Sequence, residues 1–148
     1  MADATKLDTD AGPIPSSSMR VAMIPAYADD RGRLQTLINC RTNNVALIES
    51  AKGTVRSNHY HKTDWHYMYV LSGQMDYYYR PHGSDQKPQL ISVMPGEMVF
   101  TPPMEDHATI FPVDTVFLVL SRNPRDQESY EADVERVTVI SPEGMIAR

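Results

Sequence analysis

Residues 53–73 read GTVRSNHYHKTDWHYMYVLSG and carry His59, His61 and His66, three of the five histidines in the chain. Side chains alternate faces along a strand, so His59 and His61 point one way while Asn58, Tyr60 and Lys62 point the other. The two imidazoles are then about 7 Å apart in rise. KTDW, residues 62–65, is a hairpin-sized connection, after which His66, Met68 and Val70 share one face of the next strand. A tight reversal there predicts His66 beside the first pair. A lone histidine on such a face is more simply a hydrogen-bonded core residue. Three neutral imidazoles in a dry interior are different, because several ring nitrogens are left in need of partners, at a cost. A metal ion resolves that conflict: each ring gives one nitrogen to the ion and its other N–H to an acceptor behind it.

Outward from this stretch, the chain from Arg20 breaks into short apolar or alternating runs: VAMI, RLQTLIN, NVALIES, WHYMYVLS, QMDYYYR, QLISVM, EMVF, HATIF, DTVFLVLS and VTVI. Between them stand DDRG, AKG, LSGQ, PHGSDQ and MPGE, turn chemistries placed where strands must reverse. Many short strands at close spacing predict an all-β sandwich or barrel. Pro95, Pro102, Pro103 and Pro112 would break a helix in the middle, and only QESYEADVERV near the end could form a short helix or turn. Residues 1–18 mix Asp, Thr, Gly, Pro and Ser without period and predict a flexible arm ahead of one domain over 19–148.

The formal charge of -5 and the absence of a basic run argue against nucleic acid or an anionic membrane as partner and favour a small molecule. One cysteine, Cys40, excludes an internal disulfide and reads as a small buried hydrophobe. No apolar stretch has the length of a membrane span and the N-terminus lacks an apolar signal core, so the expectation is a cytoplasmic protein. His82, in RPHGSD, reads as an exposed turn residue.

The 53–73 stretch also resembles the first motif of the cupin superfamily, G-x5-H-x-H-x4-E-x6-G, with Gly53, His59, His61 and Gly73 in place and His66 where the family has glutamate. PGEMVFTPPMEDHATIF resembles the second, G-x5-P-x-G-x2-H-x3-N, with Gly96, Pro102 and His107 in place, Met104 at the usual glycine and Phe111 at the asparagine. The resemblance implies a double-stranded β-helix, or jelly-roll barrel, with a metal held inside by His59, His61, His66 and His107. Neutral imidazole ligands suit Zn, Fe, Ni or Cu better than Mg or Ca, and the cofactor expected is a divalent transition metal, Zn, Fe, Ni or Mn. Histidine in place of glutamate leaves the ion its full charge and makes it the stronger Lewis acid. DDRGRL, residues 29–34, and the strand at VRSNHYH are similar to cupins that modify nucleotide-linked deoxysugars, and to the C-terminal cupin domain of bifunctional capsule-sugar enzymes. The dehydrorhamnose epimerases of that group are metal-free and use the histidine matching His59 as base. They lack one at the position of His61, so this chain resembles the metal-bearing branch.

The function implied is an isomerase or epimerase in which the metal polarises the carbonyl of a keto-sugar or nucleotide-sugar. Candidates for the base are Tyr77 and Tyr79, which share a strand face, and Glu97, although β-propensity alone accounts for the two tyrosines. Arg56 is a candidate substrate contact by resemblance to the arginine of the epimerase strand. Alternation turns it away from His59, so a bulge or a partner subunit is required. Other classes compatible with the same motifs are an iron dioxygenase cleaving a diketone or enol, a polyketide cyclase-like cupin and a non-catalytic small-molecule-binding cupin. A homodimer is expected through VTVI or the N-terminal strand, whose edge groups can pair across a two-fold axis.

Overall fold

The computed structural model describes residues 14–141, 143, 144 and 146; of the arm expected over 1–18, residues 1–13 lie outside the described residues. The elements in chain order are β1 (Met19–Arg20), β2 (Tyr27–Asp29), β3 (Gly32–Leu34), β4 (Asn44–Ser50), β5 (Val55–His61), β6 (His66–Ser72), β7 (Met75–Pro81), β8 (Gln89–Val93), β9 (Met98–Thr101), β10 (Glu105–Ile110), β11 (Thr115–Ser121), α1 (Gln127–Asp133) and β12 (Val134–Arg136). They form two five-stranded antiparallel sheets, ordered β1-β9-β6-β11-β4 and β12-β5-β10-β7-β8, while β2 and β3 pair only with each other. No described helix is long and apolar enough to cross a membrane.

The period-2 pattern does what alternation requires. In β11, Thr115, Phe117, Val119 and Ser121 are buried while Val116, Leu118 and Leu120 face outward. Between the sheets, Met68, Val70, Met75, Tyr77, Val93, Val99, Phe111, Phe117 and Val119 make one apolar core. The histidines occupy the space beyond it, so the interior divides into an apolar part and an imidazole-lined part.

Three stretches differ from the sequence expectation. KTDW does not close a hairpin: β5 and β6 lie in opposite sheets, and the connection crosses between them. His66 therefore meets His61 from across the barrel, not from a neighbouring strand. VTVI, residues 137–140, forms no sheet edge for a partner. Val139 and Ile140 are fully buried against Ala108 and the outer side of the second sheet. Asn58 clamps them there, its Oδ1 accepting from the backbone N–H of both and its Nδ2 donating to the Ile140 carbonyl. VAMI is likewise not a strand of its own, although the Val21 N–H extends the β1–β9 pairing to the Met98 carbonyl. Cys40 is half-buried.

Met104, at the family's glycine position, has φ 63. That left-handed conformation costs a side-chain-bearing residue about 1–2 kcal/mol. It is held because the Met104 N–H donates to the His61 carbonyl at 2.8 Å and its own carbonyl accepts from the His82 N–H at 3.0 Å. The side chain is exposed, so nothing is lost in packing. Met104→Gly is expected to stabilise the protein by about 1 kcal/mol, the relief of strain exceeding the added freedom of the unfolded chain. Urea unfolding of the two proteins measures this, and an unchanged or lower midpoint would contradict it.

Candidate functional site

His59 on β5 and His107 on β10 are direct register partners, with ring centroids 4.7 Å apart. His61 lies 4.7 Å from His59 and 5.6 Å from His107. His66 reaches in from the other sheet to 5.5 Å from both His61 and His107. All four are buried. Three of them, His59, His61 and His107, bring ring nitrogens within 4.8 Å of one another, and His66 falls outside that set. The quartet expected from sequence is thus a trio at mutual ligand distance with a fourth imidazole beside it.

The hydrogen bonds behind the rings decide which nitrogens face inward. His61 Nδ1 sits 3.0 Å from Asp133 Oδ2, and His107 Nδ1 is 3.1 Å from the Glu105 carbonyl, to which it donates. Asp133 is itself fixed, its Oδ1 accepting from the Thr63 N–H and Oγ1 at 2.7 Å each. His107 Nε2 and His66 Nδ1 are buried without a hydrogen-bond partner among the described residues. Orphaned imidazole nitrogens in a dry site fit a soft-to-borderline cation, which would take the lone pairs that no donor fills. The donor set, all imidazole and backed by a carboxylate and a carbonyl, fits a transition ion in the same way.

Burial drives the electrostatics. It lowers His59 to about 2, helped by the neighbouring His107 and His61, and lowers His107 to about 3. His66 is pushed well below its ordinary range for the same reason. These rings are neutral at pH 7, as ligands or bases must be. Burial also opposes ionisation of Asp133, but the hydrogen bonds from His61 and Thr63 outweigh it and keep the carboxylate charged.

His59, His61 and His66 line a cavity of about 290 Å³, together with Arg56, Ser57, Thr109, Arg125, Tyr130 and apolar residues of both sheets, while His107 stands behind them. Arg56 reaches it through a bulge. Ser57 and Asn58 have φ 71 and 55, and His59 and Ser57 face His107 and Ala108 in succession, so β5 carries one extra residue and Arg56 returns to the His59 face opposite Thr109. Its guanidinium is held by Ser50 Oγ and the Glu49 carbonyl. Tyr130 on α1 approaches His59 and His61 to 6.2 and 6.1 Å, and Arg125 lies over its ring at 5.1 Å. Burial keeps the Tyr130 phenol protonated.

Two stacked five-stranded antiparallel layers match a known architecture. The fold is a jelly roll. The sugar 3,4-ketoisomerase QdtA from Thermoanaerobacterium thermosaccharolyticum, solved in complex with TDP, aligns with a TM-score of 0.68 at 20% identity over 84% of this chain and 91% of that one. The rmlC epimerase of Mycobacterium tuberculosis aligns at 0.69 and 11% identity over 89% and 74%. CapF of Staphylococcus aureus, a capsular polysaccharide assembling protein, aligns at 0.58 and 23% identity over 76% of this chain and 34% of its own length. No family profile and no curated protein matches the sequence, so the likeness is one of structure.

Within this jelly roll the three base candidates stand away from the cavity. Tyr77 is fully buried, its hydroxyl fixed between Ser18 Oγ at 2.7 Å and Thr101 Oγ1 at 2.8 Å. Tyr79 donates to Gln89 Oε1 on β8. Glu97 pairs with Arg20 at 2.7 Å and caps the Met94 N–H, a turn-forming role. Alternation put the tyrosines on the inward face correctly, but the face is long, and their part of it belongs to the core and the sheet edge. His82 is also not a free turn residue: it stacks on Tyr60 at 3.9 Å and bonds Asp106 Oδ1 at 2.9 Å. What sequence reading missed is Tyr130, Arg125 and Asp133. The one local signal was the helical QESYEADV, and no periodicity says that this helix closes the histidine end of the barrel.

The neutral imidazoles make stability depend on pH. In the unfolded chain they take up protons near 6.5, whereas in the fold His59, His66 and His107 stay neutral far below it. The unfolded state then binds more protons, so their contribution is fully present above pH 6.5 and drains as pH falls. Asp64, raised by burial to about 6, opposes this in the range between 3.8 and 6, because the fold there keeps a proton that the unfolded chain releases. Three imidazoles against one carboxyl leave a net loss of roughly 3 kcal/mol per pH unit. Calorimetry in chelator should show the melting temperature falling steeply from pH 6.5 to 5, and a flat profile would exclude neutral buried rings.

Proposed function

We propose that this protein is an isomerase or epimerase of a keto-sugar carried on a nucleotide. The observation that carries the reading is the cavity itself: imidazoles from both sheets together with Arg56 and Arg125 line it, in a jelly roll shared with QdtA and the rmlC epimerase. Two guanidiniums suit a phosphate-bearing substrate, because arginine matches phosphate oxygens through paired N–H donors. A cavity of about 290 Å³ suits the sugar end of such a molecule, with the nucleotide running outward.

In this reading His59, His61 and His107 hold a divalent transition ion, which when bound supplies polarisation of the keto oxygen and so acidifies the adjacent C–H. Asp133 sets the His61 tautomer, taking Nδ1–H and leaving Nε2 for the site. His66, the imidazole outside the trio, accepts the α-proton. A ring held neutral this far below its usual range is a weak base, and it serves only because the C–H is acidified. Tyr130, protonated by burial, returns a proton, and its placement over His59 and His61 shields the site from water. A second reading rests on the His61–Asp133 pair alone, which has the geometry of a carboxylate-oriented general base and would act without an ion.

The test is solvent exchange. Incubation with a TDP-linked 4-keto-6-deoxy sugar in D2O should place one deuterium α to the carbonyl. Tyr130→Phe should slow this by about 10²-fold or more without changing the fold. Metal analysis of the untagged protein, with exchange measured before and after chelation, separates the two readings. Absence of exchange across a set of nucleotide keto-sugars would overturn the function.

We also propose a homodimer, with the edge moved from VTVI to β4. That strand ends its sheet, and Val45 and Leu47 on it are 59% and 62% exposed. The β2–β3 hairpin pairs Tyr27 directly with Leu34, both exposed, and an isolated two-stranded hairpin is marginal without something to pack on. Sedimentation should give twice the 16.7 kDa chain mass, and Leu47→Lys should shift it to the monomer. A monomeric wild type at micromolar concentration would exclude this.

A further inference from the structure

The segment just before β1 enters the barrel interior at one residue. Ser18 is 4% exposed, although Ser16 and Ser17 before it and Met19 after it are exposed. Its N–H donates to Glu105 Oε1 at 2.7 Å, and its Oγ shares a hydrogen bond with the Tyr77 hydroxyl at 2.7 Å. The chain of bonds continues from that hydroxyl to Thr101 Oγ1 at 2.8 Å. Together they join β7 and β10 of one sheet to β9 of the other.

Each end of this chain stops beside a site histidine. Thr101 is the register partner of His66. Glu105 offers its own carbonyl to His107 Nδ1 at 3.1 Å, and the Tyr77 ring lies along the His107 ring at 5.9 Å and 25°. His107 Nε2 has no hydrogen-bond partner among the described residues, so its ring is held by the Glu105 carbonyl and by packing between Tyr77 and the rings of His59, His61 and His66.

We infer that Ser18 is a positioning residue of the imidazole cluster: through Tyr77–Thr101 on one side and Glu105 on the other, it fixes the strand bearing His107 relative to the strand bearing His66. Removing the Ser18 hydroxyl leaves the buried Tyr77 O–H one partner short, and a buried polar group left short moves to find another. Tyr77 cannot shift without releasing the face of His107. The residue acts through others and touches no substrate. Its effect on ion binding rests on the proposed metal reading, whereas its effect on the rings does not.

The test uses Ser18→Ala, Tyr77→Phe and the double variant in the full chain. The comparison is Thr115→Val, which removes a buried hydroxyl bonded to the Gln74 and Val113 carbonyls, away from the histidines. Zn2+ affinity by chelator competition and the imidazole 15N resonances of His66 and His107 are both read, alongside melting temperature. Each single variant should weaken Zn2+ binding by about tenfold. The double should be no worse than the weaker single, because both cut one chain, and the His107 resonances should shift or broaden. Thr115→Val should lower the melting temperature and leave affinity and resonances alone. If Ser18→Ala and Tyr77→Phe behave like Thr115→Val, the chain is a structural staple and the inference fails. Should the wild type bind no Zn2+, the metal reading fails, and the His107 resonances alone decide the positioning role.

Discussion

Four imidazoles withdrawn from water set the conditions that the rest of this structure meets. A neutral imidazole in a dry interior needs an acceptor for its N–H and something to face its lone pair. The fold supplies the first for His61 and His107, from Asp133 and the Glu105 carbonyl, and leaves His107 Nε2 without a hydrogen-bond partner among the described residues. Burial then sets the electrostatics, since a low dielectric disfavours the imidazolium and each ring makes protonation of the next harder. The same desolvation that makes the site expensive also keeps it neutral and available.

The geometry of β5 follows from that requirement. Two successive residues in the left-handed region are costly for Ser57 and tolerable for Asn58. The cost is offset by three hydrogen bonds from the Asn58 side chain, which fasten the Val139–Ile140 segment over Ala108. The bulge brings a guanidinium onto the face of the histidines and leaves room for the C-terminal segment behind them. One local distortion therefore links the cavity lining to the packing of the outer layer.

The C-terminal α1 and β12 complete the site at the edge of the second sheet. Val134 and Arg136 pair with His61 and His59, so the strand that holds the imidazoles is not a free edge. Asp133, at the junction, joins α1 to Thr63 and His61, while Tyr130 one turn earlier faces the cavity. A short helix with a buried carboxylate at its end thus positions the His61 imidazole and a phenol together.

Much of this is legible in the chain of residues alone. Alternation and turn chemistry are local, and they place the strands from β4 to β11 and the inward face of His59 and His61 correctly, because the side-chain period of a strand does not depend on what it pairs with. The two cupin-like motifs add His107. Other features are set by contacts distant in sequence. Whether KTDW closes a hairpin or crosses between sheets depends on where Asp64, Trp65 and Asp133 find burial, and the bulge at Ser57–Asn58 depends on hydrogen bonds to Val139 and Ile140, far along the chain. The separation of His66 from the trio, the burial of Tyr77 in the core and the arrival of Tyr130 over the imidazoles are likewise products of how two sheets and a terminal helix close on one another. A strand's own residues set the direction each side chain takes; what stands opposite is decided when the layers meet.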